Sequence, residues 1–245
     1  MQPTYLPWMG YFDLMDQVDI FVILDNVQFV KQSWHQRNRI KTPKGLDWLT
    51  VPIVFRGRFG QLIKDVEIRE ADFWRKHLRA IQLNYARTTY FQDFLGSLLS
   101  TFEAEGPWNR LSDLNINLIV WLRDVLGIKT PLVIASNLGV EGKRSELVAA
   151  ICRNLGADEY LSPSGAADYL LEEIKEFNNR NISVLFHNYE HPTYRQKFPP
   201  FLPFASAIDL IFNEGMKSIE IIRSGRRLVC LPEEVTTRRL GTIPS

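Results

Sequence analysis

The chain has 245 residues, 45% apolar and 23% charged, enough to bury a sizeable core and ordinary for a globular protein. Its 29 basic and 28 acidic side chains leave a net charge of +1, so binding driven mainly by phosphate neutralisation is disfavoured and nucleic acid is not the expected partner. Two cysteines, Cys152 and Cys230, with no CxxC pair or Cys/His cluster, argue against a disulfide framework or a structural zinc, and no metal site is expected.

The chain opens MQPTYLPWMGYF. Pro3 and Pro7 fix two φ angles, while Tyr5 and Trp8 each carry an apolar body with one polar tip. Such a loop holds one shape at low entropic cost and suits a binding site, although an aromatic plug sealing one end of a sheet would look the same. The start lacks the basic region and apolar stretch of a signal peptide, and no apolar run is long enough to span a bilayer. The cytoplasm is the expected location.

Gly10 to Gln17 reads as a helix, and IFVILD (20–25) as a buried strand ending at Asp25. An Asp at the carboxyl end of a strand can orient a hydroxyl or an amine, or simply cap the next turn; Gln28 and Lys31 follow it. In SWHQRNRIKT an extended backbone would point Trp34, Gln36, Asn38 and Ile40 one way and His35, Arg37, Arg39 and Lys41 the other. A row of cations can hold phosphate or carboxylate, yet a charged edge strand also guards against aggregation. Thr42-Pro43-Lys44-Gly45 predicts a hairpin turn, and Pro52 marks the second strand as an edge or its end.

Apolar residues recur at helical spacing over 71–84, 91–105 and 112–126, with Gly106-Pro107 separating the last two. These three helices read as an insertion, about residues 70–127, between two α/β portions. PLVIAS (131–136) predicts a strand followed by Ser136 and Asn137. Ser145 is the expected cap of a helix running to Leu155, with Lys143 and Arg144 where it begins and Gly156 at its stop. A helix start with added cations is a reasonable anion site. EYLS (159–162) predicts a strand, with Ser162 and Ser164-Gly165 allowing close backbone approach. A helix over 164–177 and a strand over 182–187 follow, the strand ending at His187. Residues 189–203 hold four prolines and read as an irregular loop. Helices follow over 205–212 and 216–222, with Asp209 and Asn213 on one face. The tail, 226–245, has little to pack and is expected to be partly mobile.

Strands alternating with helices imply an α/β fold, a mostly parallel Rossmann-like sheet flanked by helices, with the helical insertion and a site at the carboxyl edge of the strands. No dinucleotide, Walker or G-x-S-x-G fingerprint appears, so the motifs leave the cofactor unknown.

The segments Q-P-T-Y-L-P-W (2–8), L-D-N-V-Q-F-V-K (24–31), W-H-Q-R-N-R-I-K (34–41), W-L-T-V-P (48–52), G-A-D-E-Y-L-S (156–162) and S-A-I-D-L-I-F-N-E-G (206–215) together resemble the WbqC-like family, over about the first 215 to 225 residues. The resemblance implies one α/β domain over residues 1–225. It also implies a transferase of O-antigen or related lipopolysaccharide synthesis, moving glycine or another acyl group onto an amino sugar. The implied partners are small molecules: an amino acid or activated acyl donor, and an amino sugar or nucleotide-linked sugar. Asp25 and Asp209 are the expected catalytic carboxylates. Gln2, Tyr5, Trp8, Gln28, Lys31, Arg37, Asn38, Arg39, Lys41, Ser136, Arg144, Ser162 and Asn213 are the expected binding residues.

The family pattern carries a strand and a His just before Q-P, where this sequence has Met1; a chain missing that strand is expected to show a gap beside 20–25. Trp8-Met9-Gly10-Tyr11 also falls where nucleotidylyltransferases and pantothenate synthetase have an H-x-G-H turn. Aromatics replace both histidines, which argues against adenylyl transfer. A nucleotidyltransferase-like protein, a nucleotide-sugar-binding module, or an amino-acid transferase to a modified nucleobase are the alternatives.

Overall fold

A computed structural model describes residues 1–104 and 108–240, and the side chains of all these except 237–240. The break expected at Gly106-Pro107 and the tail from 241 fall outside the described residues, as do the side chains of Arg238 and Arg239.

Helix α1 (Met9–Asp16) follows directly on the opening loop, with Trp8 extended just before it. Every residue from Met9 to Met15 is buried, Asp13 included, so the helix is packed all round rather than along one stripe. Strand β1 (Phe21–Ile23) comes next, and then a hairpin of β2 (Arg37–Thr42) and β3 (Gly45–Thr50). Its turn is closed by the Thr42 hydroxyl on the Gly45 carbonyl, with Gly45 at φ 120°, a conformation L side chains rarely adopt. Helices α2 (Trp74–Tyr85), α3 (Phe91–Glu103) and α4 (Leu111–Val125) bury Ile81, Tyr85, Leu98, Phe102, Leu118 and Leu122 in one core with α1 and the hairpin.

The second half holds β4 (Leu132–Ile134), α5 (Arg144–Asn154), β5 (Glu159–Ser162), α6 (Ala167–Glu172), α7 (Lys175–Asn178), β6 (Ser183–Phe186), α8 (Ala207–Glu214), α9 (Ser218–Ser224) and α10 (Pro232–Leu240). Two expectations change here. The helix expected over 164–177 is a 3-10 turn followed by two short helices broken around Glu173. The cap of α5 is not Ser145: Lys143 holds that position, and the Ser145 N–H is taken instead by the Glu173 carboxylate at 3.3 Å.

The expected Rossmann-like sheet does not form as one sheet. Among the described residues β1 pairs with β4 and β5 with β6, both parallel, while β2 and β3 pair antiparallel. The other edge of β1 meets Met1, whose nitrogen donates to the Val22 carbonyl (2.7 Å) and whose carbonyl accepts from the Leu24 N–H (2.8 Å). Beyond that contact a cavity of about 370 Å³, lined by Val22, Leu24, Cys152, Tyr160 and Leu161, separates β1 from β5. Two parallel ladders with a cavity between them are therefore the local form of the sheet.

A smaller core gathers Val148, Phe177, Val184, Phe186 and Cys230. Cys230 bridges Phe186, and Arg226 bridges Tyr189. Arg226 also reaches the buried Asp13 at 3.0 Å and Asp16 at 2.6 Å. The start of the tail, expected to have little to pack, is thus tied to α1 and β6. None of the described helices is long and apolar enough to cross a membrane.

Candidate functional site

A cavity of about 740 Å³ opens where the first loop, α1, the segment before β2 and the turn after β5 converge. Its position follows from how the opening loop is fastened. Leu6 adopts a left-handed backbone (φ 43°), which bends the loop over the hairpin. The buried Asn38 amide donates to the Tyr5 and Leu6 carbonyls at 3.1 and 2.7 Å. From α4, the Asn115 amide donates to the Pro3 and His35 carbonyls at 3.2 and 2.7 Å. Two buried amides therefore satisfy backbone acceptors that would otherwise be costly in an irregular loop.

Trp8 faces the cavity and rests in a cage of rings: His191 stacked at 6.0 Å, Tyr189 edge-on at 5.7 Å and Phe204 tilted at 5.5 Å. Tyr160, Tyr169 and, from the turn after β5, Pro163, Gly165 and Ala166 also line it. Trp34 and Arg39 stand at the hairpin side. Trp34 lies with Trp48 (5.4 Å between rings), Arg39 sits over both rings at 5.3 and 5.5 Å, and Arg37 over Trp48 at 4.2 Å. Both tryptophans keep close to half their surface in solvent, 45% and 40%. Guanidinium groups interleaved with exposed indoles form a platform that can take a flat ring and an anion together.

Arg39 is the one formally charged side chain among the described lining residues, and its Nε has no protein partner while an Nη donates to the Phe204 carbonyl at 3.3 Å. The aromatic walls and a single cation give the cavity the character of a site for an uncharged ring joined to an acidic group. No group of three or more His, Cys, Asp or Glu among the described residues is arranged to hold a metal.

The predicted site residues divide between this cavity and other places. Gln2, Trp8 and Arg39 line it, and Arg37 extends the platform. Arg144 lies behind Tyr169, 5.8 Å over its ring, and pairs with Glu173 at 3.0 Å. Ser162 is buried at the end of β5, its hydroxyl on the Pro163 carbonyl. Tyr5 is turned inward, away from the cavity, with its hydroxyl 2.8 Å from His77 Nδ1. Lys31 lies over Phe55, and the exposed Gln28 bridges Leu62.

Asp25 is buried, and both its oxygens are engaged by Ser136, by the N–H at 2.9 Å and the hydroxyl at 2.6 Å. Asp209 is fully buried, accepting from Tyr85 (2.7 Å), Tyr194 (2.6 Å) and Gln196 (3.0 Å). Burial raises its carboxyl above the usual range, partly offset by those hydrogen bonds. Asn213 donates to the Asp209 carbonyl one turn back. Lys41 leaves the expected cation row: it is buried, and its ammonium donates to the Pro200 carbonyl at 2.8 Å. Trp34 joins the cation side because the chain turns between Lys31 and Gln36, with Gln32 at φ 58°, and β2 begins only at Arg37.

Tyr11, His35, Tyr160, Tyr169 and Phe204 also belong to the lining without having been singled out as site residues. Of these, His35 carried a signal in its place beside the arginines. The tyrosines sit in ordinary helix and strand patterns, and only the fold brings them to Trp8.

A family model described as the WbqC-like protein family matches residues 2–221. A protein of Mycobacterium tuberculosis described as "Uncharacterized protein Rv1507c" is 35% identical over 228 residues, covering 93% of this chain and 97% of that protein. No solved structure matches the chain.

Proposed function

The chain belongs to the WbqC-like protein family, and from that premise we propose that it binds a nucleotide-linked amino sugar in the 740 Å³ cavity and transfers glycine or another acyl group to its amine. The observation that carries this reading is the junction of the aromatic cavity with the Trp34–Arg39–Trp48–Arg37 platform. Sugar and base rings pack on aromatic faces, and paired guanidinium groups donate to the oxygens of a diphosphate. In the reaction the amine nitrogen forms a bond to the acyl carbon, the bond from that carbon to its carrier breaks, and the amine proton leaves with the departing carrier. The cavity's contribution is to hold the two reactants in line and exclude water. On this reading the protein works in O-antigen or related surface polysaccharide synthesis, in the cytoplasm.

One observation favours a second reading, that of a binding module without turnover. Asp25 and Asp209 are both saturated by hydrogen bonds, and neither lines the cavity. Mass spectrometry separates the two. Purified protein incubated with UDP-glucosamine and a preformed activated glycine, such as a glycyl thioester, should yield a UDP-sugar heavier by one glycyl group. Binding of the nucleotide sugar with no product from any activated donor would favour the module.

A further inference from the structure

His35 and Gln2 meet on the cavity wall, and their hydrogen bonds determine which end of the Gln2 amide a ligand would encounter. The His35 Nδ1 lies 3.4 Å from the Val30 N–H, and a backbone N–H can only donate. Nδ1 is therefore the lone-pair nitrogen. Burial holds His35 far from its charged form, with the pKa pushed down to about 4, so at neutral pH its single proton is on Nε2. That Nε2–H faces Gln2 Oε1 at 2.9 Å, which fixes the carboxamide with oxygen toward the histidine. The Gln2 Nε2, with two N–H donors, is left on an exposed side chain that lines the cavity.

A second donor stands in the same lining. Tyr11 is buried, wedged against Phe12 and Phe21 at 5.5 and 5.2 Å, and its hydroxyl has no partner in the protein. Arg39 adds only donors. The fixed polar groups of the wall thus include no acidic acceptor, while the aromatic faces supply the contact area.

The geometry points to Gln2 as a specificity-determining residue that donates to the carbonyl oxygen of the acyl group carried by the ligand, with His35 as the positioning residue that keeps the amide in its donor orientation. The inference rests on the amino-sugar reading above and adds to it what is read. The cavity reads the acyl oxygen that the donor and the amide product share and the free amino-sugar acceptor lacks: that oxygen accepts these N–H groups and an ammonium cannot, so the acylated product binds more tightly than the acceptor alone.

Two measurements test this. Long-range 15N–1H spectra at pH 7 should show His35 with a protonated Nε2 and a bare Nδ1; a proton on Nδ1 would remove the argument for the amide's orientation. Calorimetric titration should show UDP-N-acetylglucosamine binding at least tenfold more tightly than UDP-glucosamine, which lacks only the acyl group. Gln2→Glu, which replaces the two donors by acceptors, should abolish that preference, and His35→Phe should reduce it while circular dichroism stays native. Equal affinities of the wild type for the two sugars would overturn the acyl-reading role while leaving the cavity as the sugar site. Absence of binding to both would overturn the amino-sugar reading and this one with it.

Discussion

Asp25 and Ser136 join the end of β1 to the turn after β4: one carboxylate oxygen takes the Ser136 N–H at 2.9 Å and the other its hydroxyl at 2.6 Å. The pair is what an Asp at the carboxyl end of a strand looks like when it clamps a neighbouring loop instead of facing substrate. Asp25→Asn sets an amide N–H against one of these donors and leaves a buried polar group unmatched, at a cost of about 1–3 kcal/mol. The urea unfolding midpoint should fall accordingly. An unchanged midpoint with turnover lost would return the carboxylate to the chemistry.

Asp209 gives a pH-dependent signature. Its carboxyl is raised above the unfolded value, chiefly by burial, so the folded protein retains that proton to higher pH than the unfolded chain does. The resulting stabilisation is full below the unfolded pKa and is lost as pH rises through the folded one. Measured against Asp209→Asn by denaturant unfolding, the wild type should hold its largest relative advantage at acid pH and lose it progressively as pH rises. A relative advantage that grew with pH would contradict the raised value.

His35 and His77 act in the opposite sense. Burial pushes both from 6.5 to about 4, so the unfolded chain takes up two protons that the folded one refuses. The stability they contribute is present above pH 6.5 and is lost as pH falls toward 4, by at most roughly 3 kcal/mol for each. Thermal unfolding between pH 7.5 and 4 should show this decline, and His35→Gln with His77→Gln should flatten it. An equally steep decline in the double variant would assign acid lability elsewhere.

Gly10 is the second residue of α1, and a Cβ there would fall on the six-membered ring of the Trp8 indole. Gly10→Ala must therefore swing Trp8 out of its cage of His191, Tyr189 and Phe204. Helix propensity favours alanine by about 1 kcal/mol, so overall stability should change little while sugar-nucleotide affinity drops severalfold. A titration giving wild-type affinity would show that Trp8 is not part of the binding wall.

Much of this fold was legible in the sequence for identifiable reasons. The three helices over 74–125 announce themselves by apolar spacing, and the hairpin by the two-residue turn Pro43-Lys44, bounded by Thr42 and Gly45 and flanked by extended runs. Strands β1, β4 and β6 were visible as short segments with β-branched residues and β5 as the short run EYLS, but how they pair depends on which edges come into contact, and no local pattern encodes that. The break around Glu173 was hidden because α6 and α7 share one apolar periodicity; Glu173 turns back to cap α5.

The site was less legible. Alternation placed Arg37 and Arg39 together correctly, but it also added Lys41, whose long stem lets it end at the Pro200 carbonyl in the interior. Tyr5 and Trp8 look alike in the opening loop, yet one seals the core against His77 and the other faces the cavity. Trp8 shares a cavity with Tyr160 and Tyr169, which lie far along the chain from it, and such convergence is a property of the fold alone.

The most direct test of the cavity as substrate site is calorimetric titration of UDP-glucosamine into the wild type and Arg39→Ala, with Lys129→Ala, exposed and outside the cavity lining, as a control. Arg39 loses a guanidinium that stacks on two indoles and holds an unpartnered N–H, so its removal should weaken binding at least tenfold, and Lys129→Ala should match the wild type. Equal affinities for all three proteins would contradict the account.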